Sequence, residues 1–168
     1  MKQKIFSTML FIAAIITFWA CGKTNETDNL EENQKEAPTE EVLLIENPWI
    51  RPANSGTNTA LFFKVINNTK LDDTLYSTSS DLAEIVEVHE TYQKGADVMG
   101  MRHVDRVVIP SGTTVEFKPR DLHVMFIRLF DDLAVADSGD AVLLFKNAGE
   151  IKIKAVVRDM PPMLEMSR

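Results

Sequence analysis

The sequence contains a single cysteine, Cys21, among its 168 residues. An intrachain disulfide and a cysteine-based metal cluster are therefore both excluded. Basic residues are also scarce, since 18 Lys and Arg stand against 25 Asp and Glu and give a formal net charge of −7. Because no basic stripe is available to neutralise phosphates, the composition argues against a nucleic-acid partner.

Helical and catalytic patterns are missing as well. From residue 42 onward, no window longer than about ten residues shows helical periodicity. No nucleophile–base pair, phosphate-binding loop or HExxH pattern appears, so we do not expect an enzyme. The apolar run Ile5–Trp19 is shorter than the roughly 20 residues that a membrane-spanning helix needs. A plain transmembrane anchor is therefore not expected either.

Residues 1–21 have the features of a lipoprotein export signal. Lys2 and Lys4 precede the apolar run, which ends at Ala20-Cys21-Gly22. Cys21 lies where a bacterial lipoprotein signal places its lipidated cysteine, although a chance cysteine near a cleavage site is the alternative. This pattern predicts an exported chain that begins at Cys21 and is held to a membrane of the cell envelope by a lipid anchor, in the periplasm or on an outer face.

The remaining chain divides into three parts. Residues 22–41 are polar and acidic and contain no aromatic residue, so they are expected to form a flexible tether. Residues 42–160 are expected to form one β-domain. Residues 161–168 form a short tail in which Met163 and Met166 continue from Met160 at intervals of three. A second copper site in this tail is the less favoured alternative, because the tail is short and lacks histidine.

The β-domain is predicted from short segments rich in β-forming residues and separated by turn signals. The predicted strands are Val42–Glu46 with Trp49–Arg51 after a break at Asn47-Pro48, Thr59–Ile66, Thr74–Thr78, Ile85–Tyr92, Val98–Val104, Arg106–Ile109, Thr113–Phe117, Leu122–Phe130, Ala141–Phe145 and Glu150–Val157. Turns are expected at Lys94–Asp97 and Ser138–Asp140, and one short helical turn at Ser80–Ala83. This spacing predicts an all-β fold, a β-sandwich or Greek-key barrel.

Candidate metal ligands recur on these predicted strands: His89, Met101, His123 and Met125. Residues i and i+2 of a strand project from the same face, so His123 and Met125 point together, as do Met99, Met101 and His103. Imidazole and thioether without thiolate form a ligand set suited to Cu(I). Taken singly, each methionine is more commonly core filler and each histidine an ordinary hydrogen-bonded residue.

The pattern His89-x-x10-Met101-x21-His123-x-Met125 resembles the signature of the PCu(A)C family of periplasmic copper chaperones. Flanking segments across residues 45–158 are also similar to that family: NPWIRPA, NTALFFKVINN, VEVHET, VMGMR, IPSGTTVEFKP and LHVMFIRL. The resemblance implies a cupredoxin-like β-barrel that holds one Cu(I) through these two histidines and two methionines. Met99 and His103 are candidate auxiliary ligands.

The resemblance also implies a function and partners. Copper would pass to the copper centre of a respiratory haem–copper oxidase, through an oxidase subunit or a thioredoxin-like copper chaperone. The sequence departs from the family where Glu90 follows the first histidine in place of methionine, where His103 replaces an expected proline, and at Arg120-Asp121-Leu122. A copper-sequestering resistance protein and a structural or adhesive β-sandwich lipoprotein remain alternatives. A blue-copper electron carrier is not expected, because such a site needs a cysteine ligand.

Overall fold

The computed structural model describes residues 41–95 and 98–160, whose backbone forms ten β-strands. The strands are β1 (Leu43–Ile50), β2 (Thr59–Asn67), β3 (Asp73–Ser79), β4 (Ala83–Gln93), β5 (Met99–His103), β6 (Val107–Ile109), β7 (Thr114–Phe117), β8 (Leu122–Leu129), β9 (Ser138–Phe145) and β10 (Gly149–Val157). The all-β prediction is confirmed. Within this described part, no helix is long and apolar enough to cross a membrane. The predicted signal peptide with Cys21, the tether up to residue 40 and the tail from residue 161 lie outside the described residues.

The ten strands form one mixed sheet in the order β5-β4-β8-β2-β1-β10-β9-β3-β6, and β7 pairs with β2. The pairing of β1 with β10 is parallel, and the other strand pairs are antiparallel. The first residues of β2 pair with β8, and its later residues pair with β7. The strands β8, β4 and β5 therefore lie side by side and run out to one edge of the sheet.

Strand β2 is buried on both of its faces. Leu61, Phe63 and Val65 point into the main apolar core of the protein. The alternate residues Ala60 and Phe62 point to the opposite, outer face and are also buried. Burying each large apolar side chain contributes roughly 1.5–3 kcal/mol. Strand β8 is the neighbour of β2. The outer face of β8 therefore lies beside the buried Ala60 and Phe62 side chains of β2.

Strand β1 is continuous and contains a β-bulge, so the predicted break at Asn47-Pro48 is wrong. Asn47 has a positive φ of 52°, and the pairing with β2 shifts by one residue between Glu46 and Trp49. An extra residue in one strand reverses which side chains face inward. Ile50 consequently enters the main core, while Trp49 is turned to the outer face beside Phe62.

Two of the predicted local elements are different in the structure. Ser80–Ala83 does not form a helical turn; it is a non-helical turn that leads into β4, and its Ser80 hydroxyl donates a hydrogen bond to the Asp140 carbonyl at 2.6 Å. Ser138–Asp140 is not a turn but the start of β9, paired with β10. The Leu82 side chain packs closely over Gly139, where a Cβ atom would require that side chain to move.

Candidate metal centre

Three histidines form one row across β5, β4 and β8 on the outer face of the sheet. His89 is paired with His103 on one side and with His123 on the other. Directly opposed residues of antiparallel strands point to the same face with Cβ atoms about 4.5–5.5 Å apart. The ring centroid of His89 lies 6.0 Å from that of His103 and 6.1 Å from that of His123. The chain has three histidines, and the fold gathers all of them.

The two predicted methionine ligands lie on the same face, at diagonal positions. Met101 is opposite Thr91 and Met125 is opposite Glu87, so each is a diagonal neighbour of His89, about 7–8 Å away by sheet geometry. Met125 is partly buried, whereas Met101 is 59% exposed. A methionine side chain has three rotatable bonds. Each thioether therefore has the freedom to turn toward the row from its own side.

His123 is the buried member of the row, with 5% of its surface exposed. The ring of Phe62 covers it, with the two ring centroids 6.2 Å apart. Burial lowers the pKa of His123 and outweighs the hydrogen bond to the Asp121 backbone, which acts in the opposite direction, so the neutral ring is favoured. Its Nδ1 lies 2.9 Å from the carbonyl oxygen of Asp121. The neutral ring that donates Nδ1–H to this carbonyl keeps a free lone pair on Nε2.

His89 is held by a carboxylate. Its Nε2 lies 3.1 Å from Oε2 of Glu87, and this hydrogen bond is the main cause that lowers the pKa of Glu87. The ionised carboxylate accepts Nε2–H, which leaves the lone pair of His89 on Nδ1. That Nδ1 atom is buried and has no hydrogen-bond partner among the described residues. A buried polar atom without a partner needs an explanation, and a metal ion that accepts the imidazole lone pair would provide one.

The arrangement of the two rings follows a known pattern for metal-binding histidines, which donate one ring N–H to a carboxylate or carbonyl and bind the metal through the other nitrogen. Sequence reasoning missed Glu87 in this role. The signal was present, because Glu87 and His89 are two residues apart on one strand and therefore share a face. Asp121 could not be found in this way, since it contributes a backbone carbonyl.

Aromatic packing extends the row beyond His123. The ring centroids of Trp49 and Phe62 lie 4.5 Å apart, and the guanidinium of Arg158 lies 4.9 Å from the centre of the Trp49 ring. Trp49 and Phe62 are 6% and 3% exposed. Because these rings pack from one side, they restrict His123 to a narrow range of positions.

The candidate auxiliary ligands differ in their relation to this row. His103 stands directly opposite His89, whereas Met101 is opposite Thr91. Met99 is opposite Gln93, shares the face of Met101 and is 56% exposed. His103 is therefore a member of the row, while Met99 lies two residues farther from it than Met101.

These features define a class: an all-β, cupredoxin-like domain whose outer face gathers imidazole and thioether groups, a donor set suited to soft metal ions. A family described as "Putative lipoprotein LpqE-like" matches residues 43–157. The chain belongs to this LpqE-like family.

Known proteins give further comparisons. The uncharacterized protein RP573 of Rickettsia prowazekii (strain Madrid E) is 29% identical over 144 residues, which cover 82% of this chain and 76% of that protein. The copper-bound PCuAC domain from PmoF2 superimposes with a TM-score of 0.58 at 25% identity, covering 70% of this chain and 93% of that domain. The Cu(I) form of DR1885 from Deinococcus radiodurans shares the fold, with a TM-score of 0.57, 19% identity and coverage of 75% and 85%. The predicted PCu(A)C resemblance and cupredoxin-like fold are confirmed.

Proposed function

We propose that this protein is a Cu(I) carrier that binds one copper ion on the outer face of β5, β4 and β8. The proposed ligands are His89, Met101, His123 and Met125. One observation carries the proposal: the neighbouring rings of His89 and His123 are each hydrogen-bonded through one nitrogen, and the other nitrogen of His89, Nδ1, is buried with no hydrogen-bond partner among the described residues. Free lone pairs on adjacent imidazoles, flanked by two thioethers, are suited to a soft metal ion.

The oxidation state follows from the chemistry of the four donors. Neutral imidazole and thioether groups add no negative charge, and soft thioethers favour Cu(I) over Cu(II). An exported protein gains from such a set, because a pair of thiols outside the cytoplasm is open to oxidation. Copper-bound PCuAC domains from PmoF2 and DR1885 support the choice of metal.

The uneven exposure of the ligands supports a carrier rather than a permanent copper site. His123 is buried, whereas Met101 is 59% exposed and lies on the edge strand β5. An exposed thioether is accessible to an acceptor that replaces it at the copper ion. Buried His123 would keep hold of the metal until the exchange is complete.

Titration with Cu(I) against a competing chelator, under anaerobic conditions, tests the site. We expect the wild-type protein to bind about one equivalent of Cu(I). Removing a residue that only supports a ligand lowers metal affinity roughly 10- to 100-fold, so Met101→Leu, which removes a ligand, should lower the Cu(I) affinity by at least that factor. Met99→Leu is the matched control, because Met99 lies on the same strand and face with nearly the same exposure. Equal affinities in the two variants would exclude Met101 as a ligand.

Export, anchoring and delivery are parts of the same proposal that rest on Cys21 and on the family resemblance. We propose that Cys21 carries the lipid anchor in the cell envelope, and that the copper acceptor is a haem–copper oxidase subunit or a thioredoxin-like chaperone. Cys21→Ala should move the protein out of the membrane fraction without changing its Cu(I) affinity. Removing the protein from cells should lower the copper content of the oxidase; higher copper sensitivity with a normal oxidase would instead indicate sequestration.

A further inference from the structure

We infer that Glu87, His89 and His103 form a second ligand set on this face, made of nitrogen and oxygen donors, which binds Cu(II). The inference deepens the proposed function and rests on it for the choice of copper. His103 is one of the positions at which the sequence departs from the PCu(A)C pattern. Unlike the four Cu(I) ligands, this set contains a charged carboxylate and no sulfur.

The geometry of the three side chains is already close to that of a metal site. One ligand atom from each of them lies within 4.8 Å of the other two. Oxygen Oε2 of Glu87 is 3.1 Å from Nε2 of His89 and 3.3 Å from Nδ1 of His103. Donors that bind one ion at about 2.0–2.2 Å stand roughly 3–3.5 Å apart. Two of the three separations therefore need no change, and rotation of the half-exposed His103 ring shortens the third.

The His103 ring has two carboxylate neighbours, and a neutral imidazole has too few hydrogen-bond donors for both of them. Both nitrogens of His103 face carboxylates: Nδ1 faces Glu87 at 3.3 Å and Nε2 faces Asp105 at 3.0 Å. A neutral imidazole has one N–H and can serve one of them. A metal ion between Nδ1 and Glu87 satisfies the first contact, and Nε2–H donated to Asp105 satisfies the second. Asp105 would then orient His103 as carboxylates commonly orient metal-binding histidines.

The charges and the hardness of the donors select the ion. Glu87 and Asp105 place two carboxylates around His103, which suits a divalent cation better than a monovalent one. Imidazole and carboxylate donors in a tetragonal arrangement are typical of Cu(II), and Cu(II) binds such sites more tightly than the other divalent ions of the first transition series. Zn(II) would bind the same donors more weakly.

His89 belongs to both sets and makes them mutually exclusive. It would bind Cu(I) through Nδ1, with Nε2–H donated to Glu87, and Cu(II) through Nε2. A neutral imidazole has a single free lone pair, so it serves one set at a time. The face would accept copper in either oxidation state, one ion at a time, with no electron transfer required.

Paired titrations of the whole protein with Cu(II), against glycine as competitor, and with Cu(I), against a chelator, test the inference. We expect His103→Ala to lower the affinity for Cu(II) by at least roughly 10- to 100-fold and the affinity for Cu(I) by much less. Met101→Leu should instead lower the affinity for Cu(I) much more than the affinity for Cu(II). Glu84→Gln is the control, because this carboxylate is also on β4 but pairs with Arg128 instead. Electron paramagnetic resonance of bound Cu(II) should show coupling to two imidazole nitrogens, reduced to one in His103→Ala.

The outcomes separate this inference from the proposed function. Stoichiometric Cu(II) binding with the same spectrum in wild type and in folded His103→Ala would overturn the inference, as would a wild type that does not bind Cu(II). A Cu(I) affinity that Met101→Leu and His123→Ala leave unchanged would overturn the proposed function. In that case, a loss of Cu(II) affinity in His103→Ala that is absent from Glu84→Gln would still support the second set. Circular dichroism of each variant establishes that it is folded.

Discussion

The two ends of the histidine row differ in burial although they share one face of one sheet. At one end His123 lies on β8, beside the doubly buried strand β2, and is covered by Phe62. At the other end His103 lies on the edge strand β5, and 48% of its side chain is exposed. The ring nearer to β2 is thus the more deeply buried of the two. The same residue type is fixed at one end of the row and adaptable at the other.

This contrast is consistent with the proposed carrier function, in which a single face both retains and releases a metal. A buried ligand has lost its side-chain freedom during folding, so binding costs it little further entropy. An exposed ligand must be ordered when the metal binds, and it is replaced more easily. Three experiments test this interpretation. They remove the Phe62 ring that covers His123, weaken the Glu87 hydrogen bond that supports His89, and follow the fluorescence of Trp49.

The largest effect is expected for Phe62→Ala, which removes the cover of His123. Truncating a buried phenylalanine costs about 3–5 kcal/mol of the free energy of unfolding, and the freed His123 ring should also bind Cu(I) less tightly. Urea unfolding and Cu(I) titration measure the two losses. Phe130→Ala is the control, because Phe130 is 57% exposed and its removal should cost no more than about 0.5 kcal/mol. Similar losses in both variants would disprove the role of burial.

A smaller effect is expected for Glu87→Gln, which weakens the support of His89. The hydrogen bond from Nε2 at 3.1 Å is then accepted by a neutral amide, so the ring is less firmly held in the form with its lone pair on Nδ1. Losing such a supporting carboxylate should lower the Cu(I) affinity roughly 10-fold. Competition with a chelator gives the value, and Glu84→Gln should retain wild-type affinity. An unchanged affinity in Glu87→Gln would show that the Glu87 carboxylate does not support His89.

The smallest effect is expected in the fluorescence of Trp49. This ring packs on Phe62 at 4.5 Å, and Phe62 packs on His123 at 6.2 Å, so copper at His123 should partly quench the emission. Titration with Cu(I) should give a partial loss of signal that disappears in His123→Ala. Trp49→Phe provides the baseline, because it removes the ring whose emission reports on His123. Quenching that persists in His123→Ala would place the metal elsewhere.

Local sequence predicted the strands well because alternation and turn residues are local signals. The predicted Thr59–Ile66 and Leu122–Phe130 agree with β2 and β8 to within one residue at each end. A β-bulge and a strand break both interrupt the alternation of side chains. The sequence at Asn47-Pro48 therefore predicts a break, although the structure contains a bulge. Ser138–Asp140 was interpreted as a turn, since its small polar residues give no sign that β10 pairs with them.

Local signals in the sequence predicted only part of the candidate site. That His123 and Met125 share a face follows from their spacing alone. That His103 rather than Met101 stands opposite His89 depends on the register of the β4–β5 hairpin, which residue types on a two-sided exposed ribbon specify only weakly. The partners of the two imidazoles, a carboxylate and a backbone carbonyl, required the folded chain.

The sequence by itself determined the donor chemistry and the strand character of this protein. Two imidazoles and two thioethers without a thiolate are suited to soft metal ions wherever they meet, and alternation places them on strand faces because its period is two. Only the tertiary structure decided which of them meet and how firmly each is held. Strand order brings β8 between β2 and β4, and packing on both faces of β2 buries His123 while His103 stays exposed. Those are long-range contacts, and no local pattern in the chain encodes them.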